Sequence, residues 1–306
     1  TNTYMTPRSV NTLGGIVKDI NVDLPLETKV YVCEAGARQK GDIYQISQLL
    51  NHHVAVVGKI GPAHIEYFKS LENIARTKLE IMQSARLEKA FVHVSATSED
   101  HEKVEFFGDE IKDLDSSLDG LSFTLELEGK VVPFETSILG AFQAMNIAAP
   151  VKVASYLGMS IVDIQKAVKA LDAVEHRLQR IDAGGKIILD DGFNGNLDGM
   201  KEGIYLCSKH KGRKVVVTPG LVESSEELNL ELIEEINKVF DIVIVTGGLN
   251  AALFNKHLKV DKKIMLHDKS KLTQTLSQYT QGGDVILFAN DASINVFESI
   301  DTIIGS

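Results

Sequence analysis

The chain has 306 residues, of which 44% are hydrophobic and 24% are charged, a balance typical of a globular protein. Its formal net charge of −10 argues against nonspecific nucleic-acid binding, because neutralising phosphates requires clustered Lys and Arg. No run of about 20 apolar residues could cross a bilayer, and the N-terminal residues lack the apolar core of a signal peptide.

The two cysteines, Cys33 and Cys207, have neither metal-type nor disulfide-type spacing. We therefore expect buried free thiols and a cytoplasmic location. Separately, we expect a monomer in solution. Because the sequence begins with Thr, we also expect a processed or truncated form of a longer gene product.

The first half of the chain alternates apolar runs of strand length with runs of helical period. Strands are predicted at 29–33, 54–57 and 91–94, and helices at 43–50 and 71–83. This alternation implies parallel strand pairing. Residues 103–135 break the pattern, and short β-rich pieces at 104–107, 122–126 and 131–134 predict a small antiparallel excursion.

Two helices are predicted next, at 138–157 and 161–171, with Gly158 as a C-cap and Ser160 as an N-cap. We place a domain boundary near His176 and Arg177, which divides residues 1–176 from residues 177–306. Five later strands with helices between them, at 187–189, 215–217, 242–245, 264–266 and 285–288, predict a Rossmann-like second domain. The predicted fold class is α/β, with a parallel-sheet domain followed by a Rossmann-like one.

Three residues of the first domain are candidates for a metal and phosphate site. Glu34 closes a strand, His64 lies just beyond the next strand, and Lys78 lies on a helix that Ser70 can cap. A carboxylate at the end of a strand can coordinate Mg²⁺, which takes few protein ligands. Taken singly, the three residues are better explained as a solvated loop acid, a structural histidine and an exposed helical lysine.

The second domain contains a candidate nucleotide site where its first strand ends. The strand runs into the segment 190–196, Asp-Asp-Gly-Phe-Asn-Gly-Asn, which suits ribose hydroxyls or simply forms a good turn. Arg177 could clamp a phosphate or form an interdomain salt bridge. No Walker A pattern occurs in the chain.

In this order, the motifs resemble those of the Mur ligase family of ATP-dependent peptide-bond-forming enzymes. Residues 34–43 match E-x-G-x-x-x-x-G-[ED]-I, residues 60–64 match I-G-x-x-H, and residues 70–80 match S-x-E-x-I-A-x-x-K-x-E. Residues 190–196 resemble D-D-S-Y-N-A-N, and further matches include Gly140, His176-Arg177-Leu178, 218–223 and 288–291. The resemblance covers nearly the whole chain.

The resemblance implies a role for each candidate residue. Glu34 and His64 would bind Mg²⁺, and Lys78 would be the family's carbamylated lysine, with Lys78 and His64 as the catalytic pair. The implied ATP contacts are Asn146, Arg177, Asp191 and Asn194. Thr6 and Asn11 lie where the family approaches its UDP-linked substrate.

The resemblance is strongest to the branch of the family that acts in peptidoglycan precursor synthesis. It implies that ATP phosphorylates the carboxylate of UDP-N-acetylmuramoyl-tripeptide, and that the amine of D-alanyl-D-alanine then attacks the acyl phosphate. Domain closure would bring Arg177 and Asp191 over the metal site.

The chain departs from the family pattern at several positions. The family's P-loop would lie upstream of residue 1, so we expect this chain alone to bind ATP poorly and to be inactive. The family histidine four residues before Asn146 is Phe142 here. The alternatives are a ligase similar to folylpolyglutamate synthase and a noncatalytic Mur-like scaffold or nucleotide-binding module.

Overall fold

The computed structural model describes residues 2–7, 9–61, 65–97, 99, 101–193, 195–222 and 224–290. His64 and Asn194 are therefore outside the described residues. The chain forms two compact units, one built from the chain up to Glu110 with Asn146–Met159, the other from Ile111–Met145 with the chain from Ser160 onward. The boundary at residue 176 stays a prediction.

The first unit contains two parallel sheets, one of strands β1 and β2 and one of β3, β4 and β5 in that order. A small apolar core that includes Ala55, Val57, Ala90 and Val92 packs on the three-stranded sheet. The elements are β1 (Thr3–Met5), α1 (Leu13–Val22), β2 (Val30–Val32), α2 (Asp42–Leu50), β3 (Val54–Val57), α3 (Ile65–Phe68), α4 (Leu71–Leu79), a 3₁₀ turn (Glu80–Gln83), β4 (Lys89–His93) and β5 (Val104–Phe107). Helix α5 (Phe142–Tyr156) crosses the division between the units.

The second unit begins with the antiparallel sheet of β6 (Lys112–Ser117), β7 (Gly120–Leu127) and β8 (Lys130–Thr136), on which helix α6 (Ile161–Lys169) packs. Its larger sheet has the order β13-β12-β11-β14-β10-β9. The remaining elements are β9 (Gln179–Ala183), β10 (Lys186–Asp191), α7 (Leu197–Ser208), β11 (Lys214–Thr218), α8 (Glu226–Val239), β12 (Ile242–Thr246), α9 (Ala251–His257), β13 (Lys262–Leu266), a 3₁₀ turn (Lys269–Lys271), α10 (Leu272–Tyr279) and β14 (Val285–Ala289).

The larger sheet contains the five strands of the Rossmann-like domain that the sequence predicts. Strands β10 to β14 are parallel, and the strand order reverses between β11 and β14. Alternate residues feed two apolar cores, so that Leu189 and Val216 lie on one face and Ile188 and Val217 on the other. Ligands of such sheets bind outside the carboxyl ends of the strands near this reversal, and Asp191, the last residue of β10, lies at this edge.

Several predicted elements differ from the structure. Residues 104–107 form β5, which pairs in parallel with β4 rather than joining the antiparallel excursion. The helix predicted at 138–157 begins only at Phe142, since Gly140 has φ +100°, and the helix predicted at 71–83 changes to a 3₁₀ turn after Leu79. The sequence analysis missed β1, β6 and the antiparallel edge strand β9.

The predicted caps of the helices are confirmed. Ser70 accepts a hydrogen bond from the Asn73 N–H (3.1 Å), and Ser160 accepts one from the Asp163 N–H (3.2 Å). Gly158 has φ +84°, the left-handed conformation that ends a helix. In the described part of the chain, no helix combines the length and apolar character needed to cross a membrane.

Candidate functional site

Three candidate residues of the first unit meet at the carboxyl ends of β1 and β2. The parallel pairing places Thr6 directly after β1, where its N–H donates to the Val32 carbonyl (3.0 Å). The Glu34 N–H donates to Thr6 Oγ1 (3.1 Å), and Asn11 Nδ2 donates to Glu34 Oε1 (3.0 Å). The two substrate candidates therefore touch the metal candidate.

Gly36 allows this close approach because it has no side chain. A Cβ at this position would lie 2.9 Å from Cγ of Asn11, closer than nonbonded carbon atoms come. The Gly36 N–H also donates to the Asn11 carbonyl at 2.7 Å. Both contacts hold Asn11 just ahead of α1, with its amide directed at Glu34.

Lys78 lies near the end of α4 and approaches Glu34 closely enough for the two charges to interact. Burial lowers the pKa of the Lys78 amine from its ordinary value, and the attraction of Glu34 opposes that shift only in part. A half-buried amine with a lowered pKa is neutral more often than an exposed one, and only the neutral amine is a nucleophile. The half-buried position of Lys78 differs from the alternative given above, in which Lys78 is an exposed lysine on its helix.

The residues present are suited to a magnesium ion. Glu34 is exposed, and only one of its oxygen atoms accepts a hydrogen bond from the described residues. Mg²⁺ keeps most of its water and needs one or two carboxylates. Within the described part of the chain, no group of three or more His, Cys, Asp or Glu side chains could hold a metal, and the predicted ligand His64 lies outside that part.

The two cysteines are free thiols, as the sequence predicts, and Cys207 is buried whereas Cys33 is only half-buried. Cys33 directly precedes Glu34, and burial is the main reason that its pKa rises to about 11. Burial also raises the pKa of Cys207. Both thiols therefore stay protonated near neutral pH and are poor nucleophiles there.

In the second unit, Asp190 and Asp191 end β10 and contact different partners. Asp190 is fully buried and its Oδ2 lies 2.7 Å from His176 Nδ1. Asp191 is 3% exposed, and its Oδ1 accepts the Leu178 N–H at 3.1 Å. Successive side chains of a strand point to opposite faces, so the two carboxylates reach the turn at 176–178 from the two faces of the sheet.

Arg177 lies at the centre of that turn and is exposed. Within the described part of the chain, its guanidinium makes no hydrogen bond or ion pair. The structure thus brings Arg177 and Asp191 into one local group at the end of β10. Asp190 and His176 were not predicted as site residues. A strand that ends in two acids directs one to each face of the sheet, and this pattern could have indicated that Asp190 also makes a contact near the site.

The remaining nucleotide candidates are less well defined. Asn146 is exposed on α5 and belongs to the first unit. Asn196 accepts a hydrogen bond from the Gly199 N–H at 2.9 Å and is therefore the N-cap residue of α7. Asn290 is buried at the carboxyl edge of the larger sheet and donates to the Gly220 carbonyl (3.0 Å).

A cavity of about 390 Å³ lies at the opposite, amino-terminal edge of the larger sheet. It is lined by Arg213, Asp241, Asp261 and Lys262 among others.

Comparisons with known proteins show which family this chain resembles. The model of the Mur ligase middle domain matches residues 2–154. UDP-N-acetylmuramoyl-tripeptide--D-alanyl-D-alanine ligase of Bacillus subtilis (strain 168) is 26% identical over 304 residues, covering 92% of this chain and 66% of the relative. The chain therefore spans just under two thirds of the length of that relative.

Solved structures share this fold over nearly the whole chain. The MurF ligase from Thermotoga maritima in complex with ADP has a TM-score of 0.78 and 25% identity, covering 99% of this chain and 71% of that one. The UDP-N-acetylmuramoylalanyl-D-glutamyl-2,6-diaminopimelate--D-alanyl-D-alanyl ligase from Acinetobacter baumannii has a TM-score of 0.82 at 22% identity, covering 99% and 70%. Since the family model matches half of its residues, this chain belongs to the Mur ligase family.

Proposed function

We propose that the chain supplies the middle and C-terminal parts of an ATP-dependent ligase that joins D-alanyl-D-alanine to UDP-N-acetylmuramoyl-tripeptide. The observation that carries this proposal is the meeting of Thr6, Asn11 and Glu34 at one sheet edge, with Lys78 within electrostatic range of Glu34. The relative from Bacillus subtilis, whose name states this reaction, supports the choice of substrates.

In the proposed reaction, the tripeptide carboxylate attacks the terminal phosphorus of ATP and ADP leaves. The dipeptide amine then attacks the resulting acyl phosphate, and phosphate leaves as the peptide bond forms. Glu34, His64 and carbamylated Lys78 would hold Mg²⁺, which when bound stabilises charge on the transferring phosphoryl group. Asn146, Arg177, Asp191 and Asn194 would contact ATP.

Carbamylation gives Lys78 a chemical reason to lie beside Glu34. The ammonium group first loses a proton to water, and the resulting neutral amine nitrogen attacks the carbon of CO₂. A second proton then leaves the nitrogen to water, so that a cationic side chain becomes an anion. A site with Glu34 alone thereby gains a second negative group. The lowered pKa of Lys78 favours this step because a larger fraction of the amine is unprotonated at a given pH.

We expect ¹³C-labelled bicarbonate with Mg²⁺ to give a carbamate signal in the NMR spectrum of this chain. The signal should disappear in Lys78→Arg and persist in the matched variant Lys40→Arg, since Lys40 is an exposed lysine of the same unit. A spectrum of Lys78→Arg identical to that of the wild-type chain would remove the chemical basis for placing Lys78 in the metal site.

A further inference from the structure

The turn that carries Arg177 has an unfavourable backbone conformation on both sides of this residue. His176 has φ +61° and Leu178 has φ +54°, although neither is glycine. Side chains with a Cβ disfavour the left-handed region, so the turn needs interactions elsewhere that hold it in place.

The two carboxylates at the end of β10 provide such interactions. Asp190 Oδ2 lies 2.7 Å from His176 Nδ1, and Asp191 Oδ1 accepts the Leu178 N–H at 3.1 Å. Each left-handed residue is thus bound by a different acid, and hydrogen bonds to a carboxylate are stronger than those between neutral groups. Because both acids are buried, water competes little for these contacts.

The turn is also fixed to the segment that follows β10. The Phe193 N–H donates to the His176 carbonyl at 3.1 Å, and the two rings pack edge to face with centroids 4.8 Å apart. The Gly192 N–H donates to Asp190 Oδ1 at 3.2 Å. Asp190 therefore holds both the turn and the segment beside it through its two oxygen atoms.

We propose that Asp190, acting through His176, and Asp191, acting through Leu178, are positioning residues that hold Arg177 ready for a phosphate-bearing ligand. The guanidinium remains available because the contacts that fix the turn use the backbone and the two neighbours of Arg177. The identity of the ligand as a nucleotide rests on the proposed function, whereas the positioning of the turn does not.

Trypsin cleaves after Lys and Arg residues, so its cleavage rate after Arg177 measures how often the turn opens. The next residue, Leu178, is only 1% exposed, so cleavage requires the turn to open. We expect Asp190→Asn to raise the cleavage rate at Arg177 by about tenfold, because proteolysis follows the population of the locally open form. Cleavage at other Lys and Arg residues should change little.

The matched control is Asp182→Asn, which removes an exposed partner of Arg180 on β9 without touching the turn. Its cleavage at Arg177 should equal that of the wild-type chain. If Asp190→Asn fails to fold, His176→Phe serves instead, since it keeps an aromatic ring against Phe193 but loses the nitrogen bound to Asp190. Wild-type cleavage at Arg177 in a folded variant of either kind would overturn the proposal.

Calorimetry with Mg-ATP on the protein expressed from its whole reading frame separates this proposal from the proposed function. If that whole wild-type protein binds ATP, Asp190→Asn should weaken binding, and in an Arg177→Ala background it should weaken binding no further. Additive effects would contradict action through Arg177. If that whole wild-type protein binds no ATP, the nucleotide assignment fails, while the trypsin rates still decide whether Asp190 holds the turn.

Discussion

Replacing Lys78 with alanine in the protein expressed from its whole reading frame should lower the ligation rate by about 10²–10³-fold, the loss typical of removing one group that stabilises transition-state charge. The variant has neither the amine nor the carbamate that the amine forms, so Glu34 is the only one of these two anionic groups that remains in the site. The KM for D-alanyl-D-alanine should change much less than kcat.

Added acetate or formate should restore part of the lost ligation rate. A small carboxylate can occupy the space left by the truncated side chain and supply the missing negative charge. Lys40→Ala is the control, because it removes an exposed lysine of the same unit. Wild-type turnover by Lys78→Ala, with or without acetate, would contradict the assignment of Lys78 to the metal site.

Replacing Asp191 with alanine in the protein expressed from its whole reading frame should weaken ATP binding by about tenfold or more while the protein stays folded. The carboxylate accepts the Leu178 N–H, and its loss leaves a buried backbone donor unpaired next to Arg177. An unpaired buried donor costs about 1–3 kcal/mol, so the free energy of unfolding should fall by a similar amount. Calorimetry with Mg-ATP and urea unfolding measure the two effects separately.

The matched variant for this experiment is Asp182→Ala, which removes an exposed acid from the neighbouring strand. It should bind ATP as the wild-type protein does and lose less than about 0.5 kcal/mol of stability. An Asp191→Ala variant with wild-type ATP affinity would show that this acid neither contacts the nucleotide nor positions a residue that does.

The strands of the larger sheet were predictable because they are continuous apolar runs buried on both faces. β11, β12 and β14 are of this kind, and each begins or ends within a residue or two of its predicted bounds. The edge strands were harder to predict. β9 has the sequence Gln-Arg-Ile-Asp-Ala, whose polar residues give no strand signal before its pairing with β10 is known.

The site was predictable where a motif ties residues to strand ends, and less so where the interaction depends on tertiary structure. Glu34 follows from its place after an apolar strand. Its hydrogen bond to Asn11 requires the parallel pairing of β1 with β2, and β1 is only three residues long. The contact between Asp190 and His176 depends on two left-handed residues, which no local pattern in the sequence indicates.

The most direct test of the account is product formation by the protein expressed from its whole reading frame, given ATP, Mg²⁺, UDP-N-acetylmuramoyl-tripeptide and D-alanyl-D-alanine. We predict one phosphate released for each pentapeptide formed, with no release when the dipeptide is omitted. Parallel reactions with a folate and glutamate test the folylpolyglutamate-synthase alternative. Folate-dependent release, or ATP binding with no product from either pair, would contradict the proposed ligase and favour the folate enzyme or the noncatalytic scaffold, respectively.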